Sequence, residues 1–329
     1  MAKKEKSGKV TVANIVSVLG LMLLAFFTYI GHSYLSGGET GMDILIAALV
    51  TGAAALLLWW LIKAKGAENE LSKWKKIEIG SLIAYILLII PASIFFGGIM
   101  HFFLVNDNKT AVKNSADQDL TLLTKLFSDY EANAKDAISR TRTGILPAVG
   151  TKQKWSADLT EFMNNNHINH SKESAESFIN IQEKAVLGAN YKTQKEYFLT
   201  QKRIIKNVVE SWSVMQIPTK AKLIEDLSTK IIGQLNSLRD NGKFPNIGYN
   251  ANSGVFTLEG YHEIPEVKLT QELKFHNQLK SASGFSVTAL LVVLGIHLLV
   301  LFNYIMAYRT STIGISKETE DDGGIILNL

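Results

Sequence analysis

Four long blocks of apolar residues constrain this 329-residue chain more than any other feature of its sequence. They run from Ile15 to Ile30, from Ile44 to Ile62, from Ile79 to Val105 and from Phe285 to Tyr308. A helix that rises about 1.5 Å per residue needs about 20 residues to cross the ~30 Å hydrocarbon layer of a bilayer, and each block reaches or approaches that length. Backbone groups in lipid must bond within their own segment, so the sequence predicts four transmembrane helices.

The first block could also be a secretory signal, because several lysines precede it. The segment that follows it, "GHSYLSGG", has no Ala-x-Ala cleavage motif, so we expect an uncleaved membrane anchor. The chain contains no cysteine, which excludes disulfides, thiolate zinc sites and cysteine nucleophiles.

The short loops predict the orientation, because Lys and Arg near the ends of spans stay on the cytoplasmic side. The N-terminus is lysine-rich, whereas the loop "GHSYLSGGETGMD" between the first two blocks has neither Lys nor Arg. A cytoplasmic basic loop follows the second block: Lys63, Lys65, Lys73, Lys75 and Lys76. Both termini are then cytoplasmic, and the lysine-rich orientation signal is typical of a bacterial inner membrane.

The predicted fold is an all-α integral membrane protein with a mainly helical periplasmic bundle between its third and fourth membrane helices. The predicted regions are 1–105 for the basic N-terminus with three spans, 106–284 for the periplasmic domain, 285–308 for the fourth span, and 309–329 for a cytoplasmic tail. Charges of both signs are dispersed over the large domain, so it has no basic face typical of nucleic-acid binding.

Apolar residues recur at helical spacing from Leu120 to Ile145, and Pro147 with Gly150 is expected to end that helix. The residues predicted to share its buried face are Leu123, Leu126, Phe127, Tyr130, Ala134, Ala137 and Ile138. Further helices are predicted from Ser156 to about Asn165 and from Ser171 to about Gly188.

After a further helix with an apolar stripe from Phe198 to Trp212, Pro218 marks a break, and Thr219 is the predicted N-cap of the next helix. The segment "YNANSGVFTLEGYHEI" predicts a short hairpin or an ordered loop. A last helix is expected from Leu269 into the fourth apolar block.

Few residues carry recognisable chemistry. His167 and His170 stand three residues apart, but they have no third ligand nearby, and a polar surface loop is the favoured interpretation. No nucleotide, hydrolase or kinase motif occurs, so we expect neither an enzyme nor a cofactor. His297, near the middle of the fourth block, is expected to bond a neighbouring helix rather than to relay ions. Pro91 is expected to kink the third span.

The chain ends in "KETEDDGGIILNL", in which a polar, glycine-containing stretch precedes an aliphatic end. Charge and glycine predict disorder for the first part. The second part has strand propensity and could dock on a partner through Ile325, Ile326, Leu327 and Leu329. The alternative is that these residues lie on the bilayer or on the chain's own cytoplasmic loop.

From about Ile77 to Tyr308, a span, an outer helical bundle and a second span resemble the sensory half of bacterial chemoreceptors. That resemblance implies a sensor whose output passes to a separate protein, because no signalling domain follows Tyr308. We favour a different hypothesis, reached by elimination: a structural subunit of an envelope-spanning complex, such as the contractile type VI secretion apparatus. Its expected partners are other membrane and envelope proteins, a cytoplasmic protein at the tail, the lipid bilayer and further copies of itself, but no nucleic acid.

Overall fold

The structure is a computed structural model that describes residues 12–67, 71–150 and 154–307. It is 77% helical and contains three long apolar helices that could cross a membrane: Val12–Ser36, Thr40–Lys65 and Ser72–Asp107. A shorter apolar helix, Val287–Val300, lies in the fourth apolar block.

The chain divides into two compact units. The apolar-helix unit comprises the described residues up to Asn108 and from Lys280 onward, and the inserted unit comprises Lys109–Leu279. Both connections of the inserted unit therefore lead into the apolar-helix unit.

In the apolar-helix unit, helix α1 (Val12–Ser36) packs against α2 (Thr40–Lys65), α5 (Ile99–Asp107) and α12 (Val287–Val300). A fully buried set of side chains from these helices and the third apolar segment forms its centre, including Leu24, Ala54, Tyr85, Ile99 and Ala289. The short helix α13 (Phe302–Met306) follows α12 after Leu301.

The third apolar segment is not one regular α-helix. It consists of α3 (Leu71–Ala84), a π-helical turn (Tyr85–Ile89), α4 (Ile90–Phe95) and α5. Pro91 lies in the first turn of α4, directly after the π-helical turn. Proline cannot donate a backbone hydrogen bond and its ring crowds the preceding turn, so a local change of helix geometry here has a clear cause. Gly98, with φ of 66°, separates α4 from α5.

The inserted unit contains α6 (Lys109–Gly150), α7 (Ala157–Asn165), α8 (Lys172–Leu187), α9 (Ala189–Glu210) and α10 (Ile217–Asp240). The seven residues predicted to line one face of α6 are all buried, which confirms the period of that pattern. Ser156 and Ser171 cap α7 and α8, since their hydroxyls accept from the backbone N–H of Leu159 and Ser174.

A small sheet corrects the prediction of an all-α fold. Strands β2 (Pro245–Asn250) and β3 (Val255–Tyr261) form an antiparallel hairpin, and β1 (Lys154–Trp155) pairs with β3 in parallel. The order is β1-β3-β2, with β3 in the centre. The sequence predicted the hairpin as one of two alternatives. It gave no sign of β1, because two residues are too short for a strand pattern.

Three predicted helix limits were wrong. Helix α6 begins at Lys109, well before Leu120, and it runs through Pro147 to Gly150, the other residue predicted to end it. Thr219 lies inside α10, which begins at Ile217 with Pro218 in its first turn, where a missing N–H needs no partner.

The third error concerns the segment from Leu269 onward, where only α11 (Phe275–Lys280) forms before α12. Asp119 of α6 determines where α11 begins, because its carboxylate accepts hydrogen bonds from the backbone N–H groups of Lys274 and Phe275 at 2.8 to 3.0 Å. This is a tertiary contact, so the local sequence pattern did not predict the break.

Candidate functional site

His297 is at the centre of a buried polar network in the apolar-helix unit. Its side chain is 2% exposed, and it joins α12 to the third apolar segment through Tyr85 and Ser93. Ser93 Oγ donates to the carbonyl of Ile90 at 2.8 Å, so it can only accept from His297 Nε2 at 2.9 Å. Nε2 therefore carries the proton, and Nδ1 accepts from the Tyr85 hydroxyl at 2.8 Å.

Both ring nitrogens of His297 are thus satisfied by groups of the same chain, with the imidazole neutral. Burial of a neutral imidazole between apolar helices is favourable only when its two nitrogens find partners. The π-helical turn contributes one of these partners, since it contains Tyr85. These hydrogen bonds join α12 to the third apolar segment.

Close backbone contacts define how α1 sits among its neighbours. A Cβ atom on Gly31 would lie 2.5 Å from backbone atoms of Gly98, and one on Gly20 would lie 2.5 Å from the backbone nitrogen of Val300. Only glycine permits such an approach. By contrast, a Cβ atom on Gly52 would meet no atom within 4 Å.

The basic loop lies at one end of the same unit. Lys63 Nζ is 4.8 Å from the ring centre of Trp59, and Lys65 Nζ donates to the carbonyl of Tyr304 at 2.7 Å. Lys73, Lys75 and Lys76 are exposed on the first turns of α3. Lys63 and Lys65 are therefore engaged by aromatic or backbone groups of this unit.

Further polar contacts occur at this end of the unit. The Tyr304 hydroxyl donates to Glu78 Oε1 at 2.9 Å, which joins α13 to α3. Asn303 bonds both Ser17 and Asn14 of α1. The sequence did not predict these contacts, because the two residues of each pair are more than 200 residues apart.

A second polar cluster, which sequence reasoning missed, joins the end of α1 to the start of α2. Asp43 is fully buried, and its Oδ1 accepts from His32 Nδ1 at 2.7 Å and from Ser36 Oγ at 2.8 Å. Its Oδ2 is buried without a hydrogen-bond partner among the described residues. The available signal was that His32 and Asp43 are ionisable residues in the short loop between two apolar blocks.

The two histidines considered as metal ligands have different surroundings. The His170 ring stacks on Trp155 with their centres 3.8 Å apart, and His167 has a φ of 55°. Within the described part of the chain, no group of three or more potential ligands is placed to hold a metal ion. The aliphatic tail, with Ile325, Ile326, Leu327 and Leu329, lies outside the described residues.

Comparisons of the chain with models of known protein families, with functionally characterised proteins and with solved structures found no significant match. The function must therefore be argued from the geometry and chemistry of the chain itself.

Proposed function

We propose that this protein is a non-enzymatic structural subunit of a bacterial inner-membrane complex of the secretion-apparatus kind. Four spans anchor it, the inserted unit faces the periplasm, and both termini are cytoplasmic. The observation that carries the proposal is the insertion itself: a compact unit is bound at both of its ends to apolar helices. Two connections restrict its orientation more than a single flexible tether would, as is useful for a connecting subunit.

The fourth span is formed by α12 and α13 together. Alone, α12 is 14 residues long and too short to cross a bilayer. With Leu301 and α13, the helical stretch extends to Met306 and reaches the ~20 residues that ~30 Å of hydrocarbon requires. The contact between Lys65 and Tyr304 supports placing the end of this span beside the basic loop, on the cytoplasmic side.

The His297 network favours an anchor over a transporter. A proton or ion path needs ionisable groups that exchange partners with water or substrate, whereas both nitrogens of His297 are occupied by Tyr85 and Ser93.

The test is affinity purification from native membranes that have been mildly solubilised, followed by mass spectrometry. We expect several envelope proteins in fixed ratios with the full chain. Cytoplasmic proteins should be lost when the chain ends at Glu318, or when Ile326→Asp alters the aliphatic tail. Asn328→Ala, which changes a polar residue of the same segment, is the matched control. Recovery of this protein alone in every case would refute the proposal.

A second candidate, a sensor that signals through a partner, is favoured by one contact. Asp119 of α6 holds the start of α11, the last helix before the fourth apolar block. A ligand that moved α6 would therefore also move α11. For a sensor, ligand addition should change amide hydrogen exchange in residues 274–279, whereas a structural subunit should show the same exchange under all conditions.

A further inference from the structure

A cleft of about 840 Å³ opens on the inserted unit between β1, the outer side of α7 and the loop that follows α7. This volume is within the range of small-molecule sites and exceeds the 570 Å³ of another cleft, beside Phe244 and Ile264. His167 and His170, the two histidines that the sequence favoured as part of a polar surface loop, both line it.

The floor of the cleft is an aromatic stack. The Trp155 and His170 rings lie 20° from parallel, with their centres 3.8 Å apart. Trp155 is fixed from behind, because its Nε1 donates to the carbonyl of Ala148 at 3.0 Å and its backbone pairs with Phe256 of β3. His170 is exposed on top of this stack. A ligand would therefore meet the flat face of the His170 ring, which stacks on Trp155.

Among the described residues, the polar lining offers several neutral hydrogen-bonding groups and one permanent charge. The amides of Asn164 and Asn169 each supply donors and an acceptor, and both side chains are exposed to the cleft. Lys154 supplies a single ammonium group. No carboxylate lines the cleft among the described residues, so a cationic ligand would find no counter-charge.

This lining matches one class of ligand. The complementary molecule has a flat apolar face for the rings, several hydroxyl or amide groups for the asparagines, and one negative charge for Lys154. A nucleotide fits less well, because its phosphates carry more charge than Lys154 alone balances, and the described lining contains no glycine-rich loop. We propose that this cleft binds an acidic saccharide, that is, a sugar ring that carries one carboxylate.

This site goes beyond the proposed structural role and does not depend on it. A structural subunit with such a site would also hold the saccharide of its surroundings. A sensor would use the same site for detection. Binding of the sugar can therefore succeed or fail independently of the recovery of partner proteins.

The experiment uses the full chain in lipid nanodiscs, because detergents with sugar headgroups would compete. Three probes are titrated and followed by saturation-transfer NMR and calorimetry: N-acetylmuramic acid, neutral N-acetylglucosamine, and lactate, which has the carboxylate without the sugar. We expect N-acetylmuramic acid to bind more tightly than either of the others. Lactate binding as tightly as the sugar acid, or no saturable binding of any probe up to about 10 mM, would overturn the proposal.

Variants separate the groups of the cleft. His170→Ala should weaken binding of both sugars by about tenfold, since it removes the exposed ring of the stack. Lys154→Gln should reduce the affinity for the acidic sugar to that for the neutral sugar. Lys192→Gln, at an exposed lysine of α9, is the control and should change nothing. If His170→Ala does not fold, the sugar affinity of Asn164→Ala tests the same cleft. Unchanged affinity in His170→Ala and Asn164→Ala would refute the site.

Discussion

At the residue scale, the Tyr85 hydroxyl has a measurable role in the stability of the apolar-helix unit. Tyr85→Phe leaves Nδ1 of His297 buried without a donor, so we expect a loss of about 1 kcal/mol in the free energy of unfolding. Equilibrium unfolding in mixed micelles measures it. Tyr29→Phe, at a partly buried tyrosine of α1, should cost less than about 0.5 kcal/mol. Non-additivity with His297→Leu would show that the two side chains act through one contact.

A second residue, Glu131, gives the inserted unit a specific response to acid. Hydrogen bonds from Lys135, Lys195 and the Tyr191 hydroxyl lower the pKa of its carboxyl from 4.5 to about 2. A carboxyl whose pKa is lower in the folded state stabilises the fold above its unfolded pKa, and this contribution is lost as the pH falls from 4.5 towards 2.

Glu131→Gln should therefore lower the thermal unfolding temperature at pH 7 and reduce its decline over that acid range. Thermal unfolding of both proteins from pH 7 to pH 2 tests this expectation. Glu161→Gln, at an exposed glutamate of α7, should leave the profile unchanged. A parallel decline in wild type and Glu131→Gln would contradict the assigned role.

At the scale of elements, Asp119 stabilises the start of helix α11. Its carboxylate is fully buried and accepts three N–H contacts, while burial raises its pKa above the ordinary value. Asp119→Asn replaces one acceptor oxygen with a donor that faces those N–H groups. We expect hydrogen exchange of residues 274–279 to rise at least about tenfold, which corresponds to about 1.4 kcal/mol. Asp117→Asn, at an exposed position of α6, should leave this exchange as in the wild type.

Helix packing in the apolar-helix unit is tested by two glycines with different surroundings. Gly31→Ala would place a methyl group 2.5 Å from the Gly98 backbone, so α1 and α5 must separate, at a cost of about 1–3 kcal/mol. Gly52→Ala adds the same atom in open space and should be neutral or slightly stabilising in a helix. Unfolding in mixed micelles compares them. Equal effects of the two substitutions would show that the Gly31 contact is not formed.

At the scale of the whole molecule, the absence of native cysteine allows the proposed topology to be tested without background labelling. An impermeant maleimide added to intact spheroplasts should label Asn165→Cys, an exposed site of the inserted unit. It should label Lys75→Cys, in the basic loop, only after the membrane is permeabilised. The reverse pattern would place the inserted unit in the cytoplasm and overturn the proposed orientation.

Local sequence patterns predicted much of the fold, and particular residues show which features those patterns did not predict. The buried face of α6 and the starts of α7 and α8 at Ser156 and Ser171 follow from spacing and side-chain type, both of which act within a few residues. The start of α11 did not follow, because the Asp119 carboxylate that bonds it lies about 155 residues away in sequence.

The sequence by itself predicted the three long apolar helices, the mainly helical content of the chain, and His297 as a candidate for an interhelical bond. These conclusions depend on the composition of each segment and on the spacing of its apolar residues, and both are properties of that segment by itself. Only the tertiary structure decided the partners: Tyr85 and Ser93 for His297, Asp43 for His32, and Trp155 for His170. Directional contacts between residues far apart in sequence form only when the folded backbone brings the two side chains together. Local sequence patterns therefore do not predict them.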